Sequence, residues 1–256
     1  MNIGLFIPCY VNQFYPEAGK ATLEILKHYG EVHYPFGQTC CGQPMANAGC
    51  EKEGLGALKL FYKHFRDFDY IVGPSASCVL HIREHGAKLF PEAKDMLPKV
   101  YDLTEFLVDV VRENDLEAYF PHKVILHKSC HGLRGMRLGP CSERVMNQPS
   151  KQDSLLQQVK GIALMPPKRK DECCGFGGTF SVAEPEVSVR MGKDRLKDYI
   201  DSGAEYITSG DMSCLMHLEG IIQRNQLPIR VIHLAEILNS PTSPMIQTTK
   251  YHVNEI

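Results

Sequence analysis

The sequence predicts an α/β protein built from two duplicated Rossmann-like βαβ halves, each with a parallel sheet, related by a pseudo-twofold axis. Three observations predict it. Short apolar, strand-like runs alternate with helix-like stretches along the chain, the signature of βαβ units. The segment Val231-Ile232-His233-Leu234-Ala235-Glu236-Ile237-Leu238 echoes Val100-Tyr101-Asp102-Leu103-Thr104-Glu105-Phe106-Leu107 almost position for position. Two sets of four cysteines recur in one order: Cys9, Cys40-Cys41-Gly42 and Cys78, then Cys130, Cys173-Cys174-Gly175 and Cys214. The repeat unit of about 120 residues is far longer than a solenoid period.

Each element follows from local pattern. The apolar run Ile3–Ile7 is a strand ending before Cys9, and Leu23, Ile25 and Leu26 mark a helix stopped by Gly30. Val32–Pro35 reads as a strand, 54–68 as a helix, Tyr70–Val72 as a strand, and Ser75-Ala76-Ser77-Cys78 as a helix start, with that helix ending near Gly86. Val100 and Tyr101 form a last short strand before a helix over 103–111. The second half repeats this: a strand at 124–126, helical character at 155–159, a strand at 162–164, a helix from Pro185 to Ile200 with Gly203 just beyond, a strand at 206–208, and Cys214 on the next helix. The boundary falls near Asn114–His122, giving halves 1–118 and 119–239 and a tail, 240–256. The stretches 148–152 and 166–171 read as surface loops.

In both halves every cysteine of the set follows a strand, before or at the start of a helix. In a parallel sheet those positions share one edge, the crevice at the strands' carboxyl ends. Residues distant in sequence are therefore expected to meet. Cys78 and Cys214 also sit near helix starts, which favour a thiolate.

The totals bound the function class. The chain has 256 residues, 43% hydrophobic, with a formal net charge of -2 and mixed signs along its length. No basic block suggests nucleic acid. No apolar run approaches the ~18 residues of a transmembrane helix. The start MNIGLFIPCY shows no secretory pattern, so the expected location is cytoplasmic. Ten cysteines in a reducing compartment point to metal binding or redox work rather than bridges. Adjacent cysteines are poor partners in any case: neighbouring Cα atoms are ~3.8 Å apart, whereas disulfides prefer ~4.4–6.8 Å.

Four thiolates suffice for an iron–sulfur core. The glycine after each pair, Gly42 or Gly175, lets the backbone turn so that neighbouring side chains face one centre. Gly177 and Gly178 extend the second loop, where backbone N–H groups can meet sulfide or another anion. The run Gly175-Phe176-Gly177-Gly178 does not have dinucleotide-fingerprint spacing and does not follow a strand. No C-x-x-C occurs, which argues against ferredoxin-type ligation and zinc knuckles, although zinc in a four-thiolate site stays a rival.

The segments around these thiols, PSASC at Cys78, SCHGLR at Cys130, CCGFGGTFS at Cys173 and SGDMSCLMH at Cys214, resemble the lactate utilization protein A family. That family is grouped with the other CCG-domain (cysteine-rich domain) proteins, the heterodisulfide reductase B subunit and the glycolate oxidase iron–sulfur subunit. The resemblance implies an iron–sulfur cluster of 4Fe–4S type. It implies a complex oxidising L-lactate with two partner subunits, including a ferredoxin-type iron–sulfur protein, and it implies ligands Cys9, Cys40, Cys41 and Cys78, and Cys130, Cys173, Cys174 and Cys214. The chain departs from the fuller motif of these relatives, which ends in C-x-x-C: Ser75 and Asp211 stand at the first of those cysteines. Asp211 is either a direct oxygen ligand or a supporting residue, and Ser75 reads as an N-cap.

His81 and His217, three residues after Cys78 and Cys214, either support the sites or are ordinary part-buried histidines. His131 and Arg134 either tune a site or lie in a solvated loop. Cys50 and Cys141 have no counterparts in the other half and read as spare buried thiols. Two rivals to electron transfer stand: a zinc-stabilised scaffold, with zinc in one half, and a thiol–disulfide enzyme using an adjacent pair. If one half alone keeps a cluster, the second is expected to, given its glycine loop and Asp211.

Overall fold

The computed structural model describes residues 1–143 and 149–241. The expected tail lies outside the described residues beyond Pro241, as does Gln148 of one expected loop. The first half runs β1 (Asn2–Leu5), α1 (Cys9–Phe14), α2 (Pro16–Lys27), β2 (Glu31–His33), α3 (Gln43–Asn47), α4 (Leu55–Phe65), β3 (Tyr70–Gly73), α5 (Ala76–Leu89), β4 (Val100–Asp102) and α6 (Leu103–Glu105). The second runs β5 (Lys123–Leu126), α7 (Lys151–Leu156), β6 (Ala163–Leu164), α8 (Phe180–Ala183), α9 (Pro185–Asp201), β7 (Tyr206–Ser209), α10 (Met212–Asn225), β8 (Arg230–His233) and α11 (Leu234–Leu238).

Two parallel four-stranded sheets result, ordered β2-β1-β3-β4 and β6-β5-β7-β8. The register aligns the halves residue by residue. Ile3 faces Tyr70 as Val124 faces Tyr206, and Val72 faces Tyr101 as Thr208 faces Ile232. Leu5 and Leu126 are thus equivalent, as are Ser75 and Asp211, and Asp102 and His233. Ser75 and Asp211 pair with each other in an isolated antiparallel bridge. Two equivalent residues pairing antiparallel lie on the pseudo-twofold axis itself.

The halves are not side-by-side units. Helix α11 packs on α2 of the first half, and α6 packs on α7 of the second. One apolar core accordingly runs through both, joining Ile3, Leu5, Leu103 and Phe106 to Val124, Ile125, Leu196, Leu234 and Ile237. A second core lies under β1 and β3, with Phe6, Phe61, Phe65, Val79 and Ile82. The exchanged helices start at matched capping boxes: Asp102 with Glu105, and His233 with Glu236. Each side chain satisfies a backbone N–H that the first turn leaves open.

Several boundaries differ from the sequence expectation for physical reasons. Gly86 does not end α5; it lies buried inside, where an added Cβ would sit 2.8 Å from Leu97, so it serves close packing. The helix expected over 103–111 is three α residues followed by a π turn at Phe106–Val110. The loop expected at 148–152 gives way to a helix at Lys151, capped by Ser150, whose Oγ accepts from the Asp153 N–H.

Candidate metal centres

The order β2-β1-β3 puts the carboxyl ends of three parallel strands side by side, and each delivers thiols to that edge. Cys9 opens α1 after β1, the Cys40-Cys41 pair follows β2, and Cys78 lies in the first turn of α5 after β3. The sulfurs converge. Cys9 Sγ is 3.7 Å from Cys40 Sγ, Cys40 contacts Cys41, and Cys41 contacts Cys78. The second half repeats the chain of contacts: Cys130 with Cys173, Cys173 with Cys174, and Cys174 with Cys214.

Each glycine after a pair takes a left-handed conformation, with φ of 91° at Gly42 and 92° at Gly175. At Gly175 a Cβ would also lie 2.5 Å from the Ser188 carbonyl, so both conformation and space require glycine. The turn aims backbone donors at sulfur: Gly42 N–H donates to Cys40 Sγ at 3.4 Å, Gly175 N–H to Cys173 Sγ at 3.3 Å, and Phe176 N–H to Cys174 Sγ at 3.4 Å.

Contacts among the sulfurs, helped by the Gly42 and Gly175 N–H groups, set which thiol ionises first. The Cys40 thiol is pushed down, first by its hydrogen bond with Cys41, then by Cys9 and the Gly42 N–H. The Cys173 thiol is pushed down by Cys130, Cys174 and the Gly175 N–H. The neighbours move the other way: Cys9 and Cys130 are raised by donating to the central sulfur and by burial, as are the more deeply buried Cys41 and Cys174. The shifts thus favour a thiolate at Cys40 and at Cys173 and disfavour one at the sulfurs that donate to them. Ionising those raised thiols calls for a cationic centre, as metal ligation supplies.

The Asp211 carboxylate is engaged by hydrogen bonds from both halves. It is buried, and both carboxylate oxygens are occupied by hydroxyl and amide donors. Oδ1 accepts from Ser75 Oγ at 3.0 Å, the Ser77 N–H at 3.0 Å and Ser77 Oγ at 2.8 Å, and Oδ2 accepts from Ser129 Oγ at 2.5 Å. It stands at the N-cap of α10 without capping it, whereas Ser75 does cap α5 by accepting from the Cys78 N–H. Asp211 ties the halves together across the axis.

The long glycine loop also reaches across. Gly178 sits against Asn47 of the first half and, with Phe176 and Thr179, walls a cavity of about 170 Å³ that Cys9, Cys40, Cys41 and Cys78 also line. The loop thus closes over the first site while its Cys173-Cys174 end serves the second. His81 is buried and stacks on His85 at 4.5 Å, and His217 lies 3.4 Å from the Ser188 carbonyl. His131 is exposed and lies 3.4 Å from Gln43, and Arg134 pairs with Glu143. Cys141 is buried as expected, but Cys50 is exposed.

One residue absent from the sequence reading joins the second site. A ring nitrogen of His127, just past β5, lies within 4.8 Å of the Cys174 and Cys214 sulfurs.

The family model for the cysteine-rich domain (CCG) matches residues 3–83 and again 124–219, one copy for each site. The chain belongs to the lactate utilization protein A family. It is 40% identical over 250 residues to lactate utilization protein A of an Exiguobacterium species, covering 93% of this chain and 97% of that one. It is 41% identical over 247 residues to that of Oceanobacillus iheyensis, covering 94% and 97%. Among solved structures, glutamate racemase RacE1 of Bacillus anthracis aligns over 93% of this chain and 78% of its own, at 12% identity with a TM-score of 0.35, too distant to carry an argument. Among the described residues, no helix is long and apolar enough to cross a membrane.

Proposed function

We propose that this chain is the iron–sulfur electron-transfer subunit of an assembly that oxidises L-lactate, or a similar 2-hydroxy acid, to the 2-oxo acid. The observation that carries this reading is the convergence, twice over, of three separated stretches of chain on one group of four sulfurs. The name of the relatives supports the substrate class. Residues 1–118 and 119–239 form the two site-bearing units.

Cys9, Cys40, Cys41 and Cys78 would hold one core, and Cys130, Cys173, Cys174 and Cys214 the other. A 4Fe–4S-type core, when bound, supplies one-electron transfer. The chain's own residues set the conditions. The Gly42, Gly175 and Phe176 N–H groups disperse charge on sulfur. Tyr10 and Phe176 pack edge to face at 6.1 Å between the sites and limit water there. Asp211 fixes the Ser75–Ser77 turn that presents Cys78. Lactate turnover belongs to the assembly with its other subunits, a ferredoxin-type iron–sulfur protein among them.

Anaerobically prepared protein should be brown, hold iron and sulfide, and give an electron paramagnetic resonance signal on reduction. It should lack lactate dehydrogenase activity until the other subunits are added. Zinc without sulfide in a colourless protein would replace this reading with the scaffold. Turnover abolished by alkylating Cys40 or Cys173, with no metal present, would replace it with thiol–disulfide chemistry.

A further inference from the structure

The two thiol quartets match, but the side chains behind them do not. In the first half Phe6, just past β1, meets Phe61 edge-on at 5.0 Å and Phe65 at 5.9 Å, and Phe61 and Phe65 stack at 4.6 Å. The register makes His127 the equivalent of Phe6. On α9, Arg195 and Tyr199 repeat the four-residue spacing of Phe61 and Phe65. Tyr199 meets His127 edge-on at 6.1 Å, and the Arg195 guanidinium lies 4.4 Å from the Tyr199 ring centre. An apolar aromatic trio has become a polar one with no gain in exposure: His127 is 1% exposed, and Arg195 and Tyr199 are 0% exposed.

One hydrogen bond in this trio has its direction fixed by chemistry, and it orients the next. Arginine can only donate. Arg195 Nε donates to the Tyr199 oxygen at 2.8 Å, and Arg195 is held in turn by Asp198 at 3.1 Å. The Tyr199 hydroxyl proton then goes to its other neighbour, His127 Nδ1, at 2.7 Å. An imidazole that accepts at Nδ1 carries its proton on Nε2. Nε2 is fully buried with no hydrogen-bond partner in the structure, a costly state for a donor. The Cys174 and Cys214 sulfurs are the acceptors a His127 ring nitrogen approaches, within 4.8 Å.

We propose that His127, through Nε2–H, donates a hydrogen bond to the sulfur ligands of the second site, a bond that Phe6, at the equivalent position of the first half, cannot make. The proposal rests on the reading that both quartets hold metal. Thiols are weak acceptors; thiolates gathered on a metal are strong ones, so loading completes the chain from Arg195 through Tyr199 and His127 to sulfur. A donor to sulfur disperses the negative charge that reduction adds. With both cores bound, this donor would raise the reduction potential of the second site.

Cadmium-113 loading of nitrogen-15-histidine protein tests the bond without iron. A coupling between cadmium and the His127 Nε2 proton is expected, absent in H127F and weakened in Y199F, which keeps the packing. Direct cadmium–nitrogen coupling would make His127 a ligand and overturn the proposal, as would an Nδ1–H tautomer. In iron-loaded protein, H127F should lower one of two midpoint potentials and leave the other, with H127Q restoring part of the shift. Unchanged potentials with both cores intact would also overturn it. Failure to take up iron and sulfide would sink the electron-transfer reading alone, since the cadmium measurement decides the role of His127 separately.

Discussion

The first and second halves share a sheet order, a thiol order and a glycine turn, and differ in what surrounds them. Phe6 packs on Phe61 and Phe65 where its equivalent, His127, packs on Tyr199, which Arg195 holds. Ser75 faces Asp211 across the axis, and Asp102 caps α6 where His233 caps α11. Duplication preserved the parts that bring sulfur together and left the environment free to diverge. The difference teaches that matched thiols do not make matched surroundings: the buried groups behind the two quartets differ in polarity.

The comparison can be broken most forcefully at the thiols. Replacing Cys173 and Cys174 by Ala should remove roughly half of the iron and sulfide, and the matching change at Cys40 and Cys41 the other half, read by metal analysis. Loss of both cores from either double variant would mean that the sites are one unit.

The axis is the next test. Asp211→Ala strips a buried acceptor from three hydroxyls and an amide, and should lower unfolding free energy by about 2–5 kcal/mol in denaturant titrations. Ser75→Ala removes one of those donors and a cap, and should lower it by about 1 kcal/mol.

The equivalent caps should respond to pH with opposite signs. Burial, then the charge of Glu105, pushes the Asp102 carboxyl up to about 7, so the folded state holds its proton where the unfolded state has lost it. Its contribution is full below the ordinary carboxylate range and is lost as pH rises towards 7. Burial pushes the His233 imidazole down to about 4, so its contribution is present above the ordinary histidine range and is lost as pH falls towards 4. Wild type minus D102N stability should fall with pH between about 4 and 7, and wild type minus H233N should rise between about 4 and 6.5. Parallel slopes would refute the assignment. The smallest effect is expected at the unmatched thiols: C50S and C141S should leave metal content unchanged.

Much of this was legible from residues alone. Strand-end placement of each cysteine follows from alternation of apolar runs with helical periodicity, and parallel-sheet geometry then gathers the thiols. The need for glycine at 42 and 175 was readable from adjacent cysteines that must face one point. His127 was not, because a single histidine after an apolar strand reads as a core residue. Aligning the halves would have exposed it, since Phe6 maps onto His127. The direction of the Asp211 carboxylate was hidden because its donors, Ser75, Ser77 and Ser129, approach from stretches up to 136 residues away. Gly178 read as part of the second site because the crossing of its loop depends on how the halves dock.

The pair at 75 and 211 carries a consequence for ancestry. A symmetric homodimer of half-length chains would place identical residues on both sides of its axis. Two aspartates there would repel in a dry seam, and two serines would offer no anion to organise Ser77 and Ser129. Joining the copies into one polypeptide lets one side supply the carboxylate and the other the hydroxyl, an arrangement closed to any assembly of identical chains.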